Sequence, residues 1–193
     1  MVNTPVRERI IEAVLAMIGS DGIAAVTNRR IAAEAHVSLG SVTYHFASQA
    51  EMLRAALVEF VAAETARLSA IAEDYRSLDL DLDQAATLVE QVAAQVAFTS
   101  EQIAAFELYI QAGRDAQLQE AAADCFAAYD RLALTILEAL GVPDPEPLAQ
   151  SLVALVAGMQ LRRLATGVAG QQVAAALISL VRGAGEAGPN GAR

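Results

Sequence analysis

An all-α fold is what the sequence predicts, and three observations predict it. The chain is 55% hydrophobic but only 5% aromatic, with no Trp and Ala throughout, a mix suited to helices packed through small side chains. A sheet protein would carry more Val, Ile, Thr and aromatic residues. Apolar residues recur at helical spacing, and cap residues, Gly and Pro punctuate them where helices should start and stop. At 193 residues the chain fits one large domain or two small ones. A lone cysteine, Cys125, allows neither an internal disulfide nor a zinc cluster and fits a reducing compartment. No stretch offers the roughly 18 consecutive apolar residues of a membrane span, and Met1–Arg7 followed by Glu8 lacks a signal-peptide layout. The expectation is a soluble, cytoplasmic protein with no membrane partner.

The elements follow in order. Ile10, Ile11, Val14, Leu15 and Ile18 form the stripe of a half-buried helix over 6–20, ended by Asp21-Gly22. Thr27 caps a second helix through Ala35. After a break at His36-Val37, Ser38 caps a short third helix ending near Phe46. Its residues Leu39, Val42 and Phe46 are expected to point inward, leaving Ser41, Thr43, Tyr44 and His45 outward or oblique. Ser48 and Glu51 match a capping box, and Met52, Leu53, Ala56, Leu57 and Phe60 open a long amphipathic helix to about Tyr75. The stretch Ser77–Asp83 breaks the period and reads as a connection. Helices are then expected over about 84–98, 100–113, 115–140, 148–166 and 171–182, with Gly141, Pro143, Gly167 and Gly170 between the later ones and a frayed tail from Gly183.

Net charge is −10, which speaks against a polyanionic partner until it is divided along the chain. Residues 1–54 hold five Arg against five acids; residues 55–193 hold eight Arg against eighteen. Both histidines, His36 and His45, lie in the first segment, and there is no Lys. Only this neutral head is suited to meet a polyanion.

Two short helices joined by a tight turn, the second bearing outward polar and aromatic residues, make a helix-turn-helix. Thr27-x-Arg29-Arg30-Ile31-Ala32-x-Glu34-Ala35-x-Val37-Ser38-x-Gly40-Ser41-Val42-x-Tyr44-His45-Phe46-x-Ser48-x-x-Glu51-x-Leu53 resembles the tetracycline-repressor family of transcriptional regulators over about residues 6–60. The rest resembles that family in architecture alone. The resemblance implies a DNA-binding head at 1–47 and an α-helical effector-binding and dimerisation domain at 48–193, the two joined by the long helix. It places Arg29, Leu39, Gly40, Ser41 and Thr43 near base edges and Tyr44 and His45 on phosphates, and it counts Thr27 and Gln49 among the DNA-binding residues. Physically, Gly40 and Ser41 let backbone approach the major groove, Arg29 reaches guanine O6/N7, and the Thr43 methyl packs on thymine. Two residues depart from the family pattern. His36 stands where Gly is usual, and Gln49 where a Lys commonly supplies a phosphate contact.

Other residues carry competing readings. Phe60, Phe98, Phe106, Tyr109, Phe126, Tyr129 and Met159 either fill the core or line an effector pocket. Such a lining suits a mainly apolar small molecule. Arg162 and Arg163 either anchor an anionic group on it or are solvated or interface arginines. Cys125, in an Ala-rich helix, reads as a small core residue. Asp79, Asp81, Asp83 and Glu90 have the spacing of a calcium loop, but Gln84 sits where that loop needs Gly. With no clustered acid pair in an apolar setting, no catalytic machinery is visible, and neither a cofactor nor a metal is expected. The leading expectation is a homodimer, paired through its last two helices, that binds double-stranded DNA at an inverted-repeat operator as a repressor and is released by the effector. The alternative is a helical interaction or calcium-binding module without DNA function.

Overall fold

The computed structural model describes residues 4–76, 83, 84, 87, 100–139, 141, 142, 144–167 and 173–186. Eight α-helices and one 3₁₀ turn make up the regular structure of these residues. They are α1 (Val6–Asp21), the turn Ile23–Ala25, α2 (Asn28–Glu34), α3 (Leu39–His45), α4 (Gln49–Arg76), α5 (Ser100–Ala112), α6 (Ala116–Ala139), α7 (Glu146–Thr166) and α8 (Val173–Glu186). The all-α expectation holds. The expected connection at 77–82 and nearly all of the helix expected at 84–98 lie outside the described residues. The last helix runs to Glu186, past the expected stop near Arg182.

The chain forms two compact units, Met1–Glu64 with Phe98–Cys125, and Thr65–Ala97 with Phe126–Arg193. The division expected at 47/48 falls inside the first unit. Helices α4 and α6 each contribute residues to both.

In the first unit, α1 buries Ile10, Ile11, Ala13, Val14, Leu15, Met17 and Ile18, more than its expected stripe. These pack with Ile31 and Ala32 of α2, Val42 of α3, Met52, Leu53, Ala56 and Leu57 of α4, and Ala104, Leu108 and Ala112 of α5. Burying a large aliphatic side chain contributes about 1.5–3 kcal/mol, so this cluster is what holds three short helices in place. Gly22 ends α1 at φ 84, its N–H donating to the Ile18 carbonyl at 2.9 Å. At the start of α4, the Glu51 N–H donates to Ser48 Oγ at 3.1 Å. The Glu51 carboxylate reaches back to accept from the Ala47 N–H at 2.8 Å. The capping box thus closes one residue further upstream than the simplest form.

In the second unit, α7 starts at the Pro145 cap and ends at Gly167, φ 69, whose N–H donates to the Arg163 carbonyl. Leu148, Ala149 and Leu152 pack with Ala133 and Leu137 of α6, and Ile178, Leu180 and Val181 of α8 lean on that cluster. Back in the first unit, Asp115 caps α6, its Oδ1 accepting from the Gln117 and Leu118 N–H groups at 2.9 and 3.3 Å.

Candidate nucleic-acid interface

The turn between α2 and α3 is fixed by its own hydrogen bonds. The Val37 N–H donates to the Ala32 carbonyl at 2.9 Å and the His36 N–H to the Ala33 carbonyl at 3.2 Å. This is the Schellman arrangement, which needs a left-handed residue at the first position beyond the cap. His36 supplies it at φ 52. A non-glycine residue held there stores about 1–2 kcal/mol, which the surrounding core must offset. The departure noted in the sequence is therefore accommodated: His36 takes up the glycine conformation, exposed, while Val37 turns inward onto the core.

Caps set the two helices. Thr27 Oγ1 accepts from the Arg30 N–H at 3.4 Å, and Ser38 Oγ accepts from the Ser41 N–H at 3.0 Å. Val42 is fully buried and Phe46 is 3% exposed, which pins one face of α3 to the core. The opposite face looks to solvent: Gly40 and Thr43 are exposed, Tyr44 is 85% exposed, and Ser41 and His45 are half-buried. The Tyr44 and His45 rings meet edge to face at 5.2 Å, so the two phosphate-side candidates stand together.

One expectation is corrected. Leu39 does not point inward but is 53% exposed. Helix α3 ends at His45, and Phe46 is extended, at φ −138 and ψ 117. Val42 and Phe46 are both buried as expected, so the departure is confined to Leu39. Leu39 is left in the first turn of α3, on the solvent side.

The remaining candidates are placed as follows. Arg29 is exposed in the first turn of α2. The Thr43 hydroxyl donates to the carbonyls of Leu39 and Gly40 at 3.3 and 3.1 Å, which occupies its polar end. The Ser41 hydroxyl shares a 2.9 Å hydrogen bond with Ser38 Oγ. Gln49 is exposed, and its Nε2 donates to the Val26 carbonyl at 2.9 Å, tying the start of α4 to the residue before the Thr27 cap. Arg30 pairs with Asp21, so its charge is locally balanced.

Two residues outside the sequence-based set join this region. The Arg7 guanidinium lies 5.4 Å above the Phe46 ring, a cation–π contact that brings an exposed positive charge to the end of α3. Glu107 Oε2 accepts from the Ile23 N–H at 2.7 Å. No local pattern points to either pairing, because the partners lie 39 and 84 residues apart.

The candidate effector residues divide between the compact units. In the first, Phe60, Phe106 and Tyr109 are half-buried. Phe106 and Tyr109 meet edge to face at 6.3 Å, and the Tyr109 hydroxyl lies 3.0 Å from the buried Cys125 sulfur. In the second, Phe126 is 36% exposed with its ring 6.4 Å from that of Tyr129. Met159 is half-buried and Arg162 exposed. Phe98 lies outside the described residues, as do Asp79, Asp81 and Glu90 of the calcium spacing; Asp83 is exposed. Among the described residues no three His, Cys, Asp or Glu side chains are grouped to hold a metal ion, and no helix is long and apolar enough to cross a membrane.

Residues 10–56 match the family described as bacterial regulatory proteins, tetR family, and residues 80–186 match the tetracyclin repressor-like C-terminal domain. Among solved structures, a TetR-family member from Streptomyces coelicolor A3, SCO1917, is 30% identical with a TM-score of 0.73. The match covers 91% of this chain and 97% of that one. The multidrug binding protein EbrR complexed with imidazole is 30% identical, with a TM-score of 0.71 and 92% and 96% of the two chains covered. Its complex with ethidium gives 29% identity, a TM-score of 0.72, and coverage of 91% and 98%. No curated protein matches the chain.

Proposed function

We propose the following for this chain, which belongs to the tetR family of bacterial regulatory proteins: it is a cytoplasmic, homodimeric repressor that a mainly apolar small molecule releases from an inverted-repeat operator. The observation that carries this reading is the outward face of α3. Tyr44 at 85% exposure, with His45, Thr43 and Gly40 around it, makes a polar and aromatic ridge on the solvent side of the helix. Phosphate contacts from Tyr44 and His45 fix register, while Arg29 and the front of α3 meet base edges. Exposed Arg7, Arg29 and Arg54 supply the positive charge of an otherwise neutral head.

In this reading the dimer forms through α7 and α8. Leu155, Val156 and Met159 stay half-buried and Leu161 is 49% exposed, so the protomer leaves apolar surface along α7. A two-fold dimer meets half-sites spaced by whole helical turns, about 34–36 Å or multiples of it. Helix α4 has 28 residues, roughly 42 Å at 1.5 Å per residue, long enough for a small rotation at one end to shift the recognition helix at the other. An effector that prefers the spread state lowers operator affinity, and operator lowers effector affinity by the same factor. EbrR is seen with ethidium and with malachite green. Together with the acidic body, eight Arg against eighteen acids over 55–193, this makes an aromatic cation the first class to titrate.

Selection of bound DNA from a random pool tests the reading. The expected product is an inverted repeat whose affinity falls steeply with salt. Recovery of no preferred sequence would overturn it. With a duplex in hand, ethidium is titrated into the protein with that duplex and with an equal amount of scrambled duplex, which cancels intercalation of the dye; equal dissociation constants from the protein would remove the ligand switch and leave the DNA binding.

A further inference from the structure

The helix-turn-helix is not finished by its own residues. Ile23 follows the left-handed Gly22 and opens the 3₁₀ turn, so its N–H has no carbonyl of α1 to bond. Glu107, from the middle of α5, fills that role: its Oε2 accepts the Ile23 N–H at 2.7 Å in a half-buried setting. The fit around it is close. A methyl group on Gly22 would stand 3.6 and 3.7 Å from the two carboxylate oxygens, and one on Gly19 would overlap the backbone carbonyl of Ser100 at the start of α5. Helices α1 and α5 are thus in backbone-level contact over the last turn of α1, directly beside the carboxylate.

From Ile23 the chain has little slack before the DNA-facing residues. The 3₁₀ turn ends at Val26, which is 2% exposed and whose carbonyl is held by Gln49 Nε2. Thr27 follows as the cap of α2, and Arg29 lies two residues on. We infer that Glu107 is a positioning residue for DNA recognition: it fixes the 23–27 turn, and through it the Thr27 cap and Arg29, from a helix outside the helix-turn-helix. The inference rests on the DNA-binding reading above. It also gives α5 a hold on the head separate from α4, so that a shift of α5 is felt at the base-reading end of α2.

The test uses the full chain in four forms: wild type, Glu107→Gln, Glu107→Asp and Glu107→Leu. Gln keeps an acceptor at the same reach, Asp keeps the charge but falls one methylene short, and Leu removes both. The probe is the duplex that the wild-type protein recovers from a random-sequence pool. Affinity, base preference and hydrogen exchange are read at a temperature where circular dichroism shows each form fully helical. Wild type and Glu107→Gln should bind within about threefold of each other, and duplex should slow exchange across 100–112 in both. Glu107→Asp and Glu107→Leu should bind roughly tenfold more weakly, the scale of a hydrogen bond to a charged group. Both should select a broader set of bases at the positions Arg29 reads, and 100–112 should no longer respond to duplex. If Leu fails to fold, Asp decides alone. Wild-type affinity and preference in a folded Glu107→Asp would overturn the proposal while leaving DNA binding intact. A wild-type protein that recovers no duplex would overturn the DNA-binding reading and the proposal with it.

Discussion

Helices α1 and α7 are 16 and 21 residues long, and both carry apolar residues around much of their circumference. In α1 seven of these are buried, spread from Ile10 to Ile18. In α7 burial stops after the first two turns, at Leu148, Ala149 and Leu152, and the later residues Leu155, Val156, Met159 and Leu161 remain half-buried or exposed. The difference separates two uses of an apolar helix. α1 completes its packing within the chain and thereby frees α3 to show a polar face. α7 leaves part of its apolar surface exposed in the protomer, and the proposed reading assigns that surface to a second copy of the chain.

The largest effect should come from spoiling that exposed surface. Leu161→Glu places a charge at a position already 49% exposed, so the protomer should fold with little loss. In a dimer the same charge is buried without a partner. The expected outcome is a monomer by light scattering, with affinity for an inverted repeat down roughly 100-fold or more, because the second half-site no longer binds intramolecularly. Deleting residues 168–193 should give monomer or aggregate as well. A dimeric Leu161→Glu protein that binds normally would show that α7 is not the interface.

The matching change inside the completed region is Ile31→Ala. Ile31 is fully buried in α2 against α1 and α3. Removing its side chain should cost about 2–5 kcal/mol, read as a lowered denaturation midpoint. Leu155→Ala on half-buried α7 should cost less in dilute protomer and more as concentration rises, since dimerisation adds to apparent stability. Equal losses at all concentrations would erase the contrast between the two helices.

On the exposed face of α3 the predicted effects are smaller and differ in kind. Tyr44→Phe and His45→Ala should weaken binding to all sequences alike, and His45→Ala should also lower the association rate. Arg29→Ala should instead change which bases are preferred, by about 1–3 kcal/mol at the affected position. Competition of matched and mismatched duplexes separates the two. A uniform loss for Arg29→Ala would move that residue to the phosphate side.

Local signals were legible in the sequence because their physics is local. The Thr27, Ser38 and Ser48 caps, the Gly22 and Gly167 stops and the buried stripe of α1 all depend on residues within a turn or two, and each is where periodicity and cap chemistry put it. The position of His36, at positive φ, is marked by the family resemblance, which has Gly there, and not by a local signal. Leu39 departs from its stripe because it is the first residue of α3, at the open end of the helix, while Val42 and Phe46 are buried as the stripe requires. Glu107 and Arg7 were invisible because their partners, Ile23 and Phe46, are brought to them by the packing of α1 rather than by any sequence neighbour. The division of the aromatic residues between two compact units is likewise a property of the fold, not of any spacing.

The smallest predicted effect bears most finely on the contrast between α1 and α7. Gly158 lies mid-helix in α7, exposed, and a methyl group there would meet nothing within 4 Å in the protomer. Helix propensity alone then makes Gly158→Ala stabilising by about 0.5–1 kcal/mol, since glycine loses more backbone freedom on entering a helix. Gly19, at the foot of α1, is the opposite case, its place taken by the Ser100 backbone. If α7 faces a second copy closely at Gly158, the added methyl should raise protomer stability at low concentration while weakening the dimer. The measurement is a pair of denaturation curves at two protein concentrations together with sedimentation of each form. A gain in stability with unchanged dimer affinity would place Gly158 outside the close approach and shift the contact toward Leu155 and Leu161. A loss in dimer affinity alongside the gain would identify Gly158 as the point where the two copies of α7 come nearest.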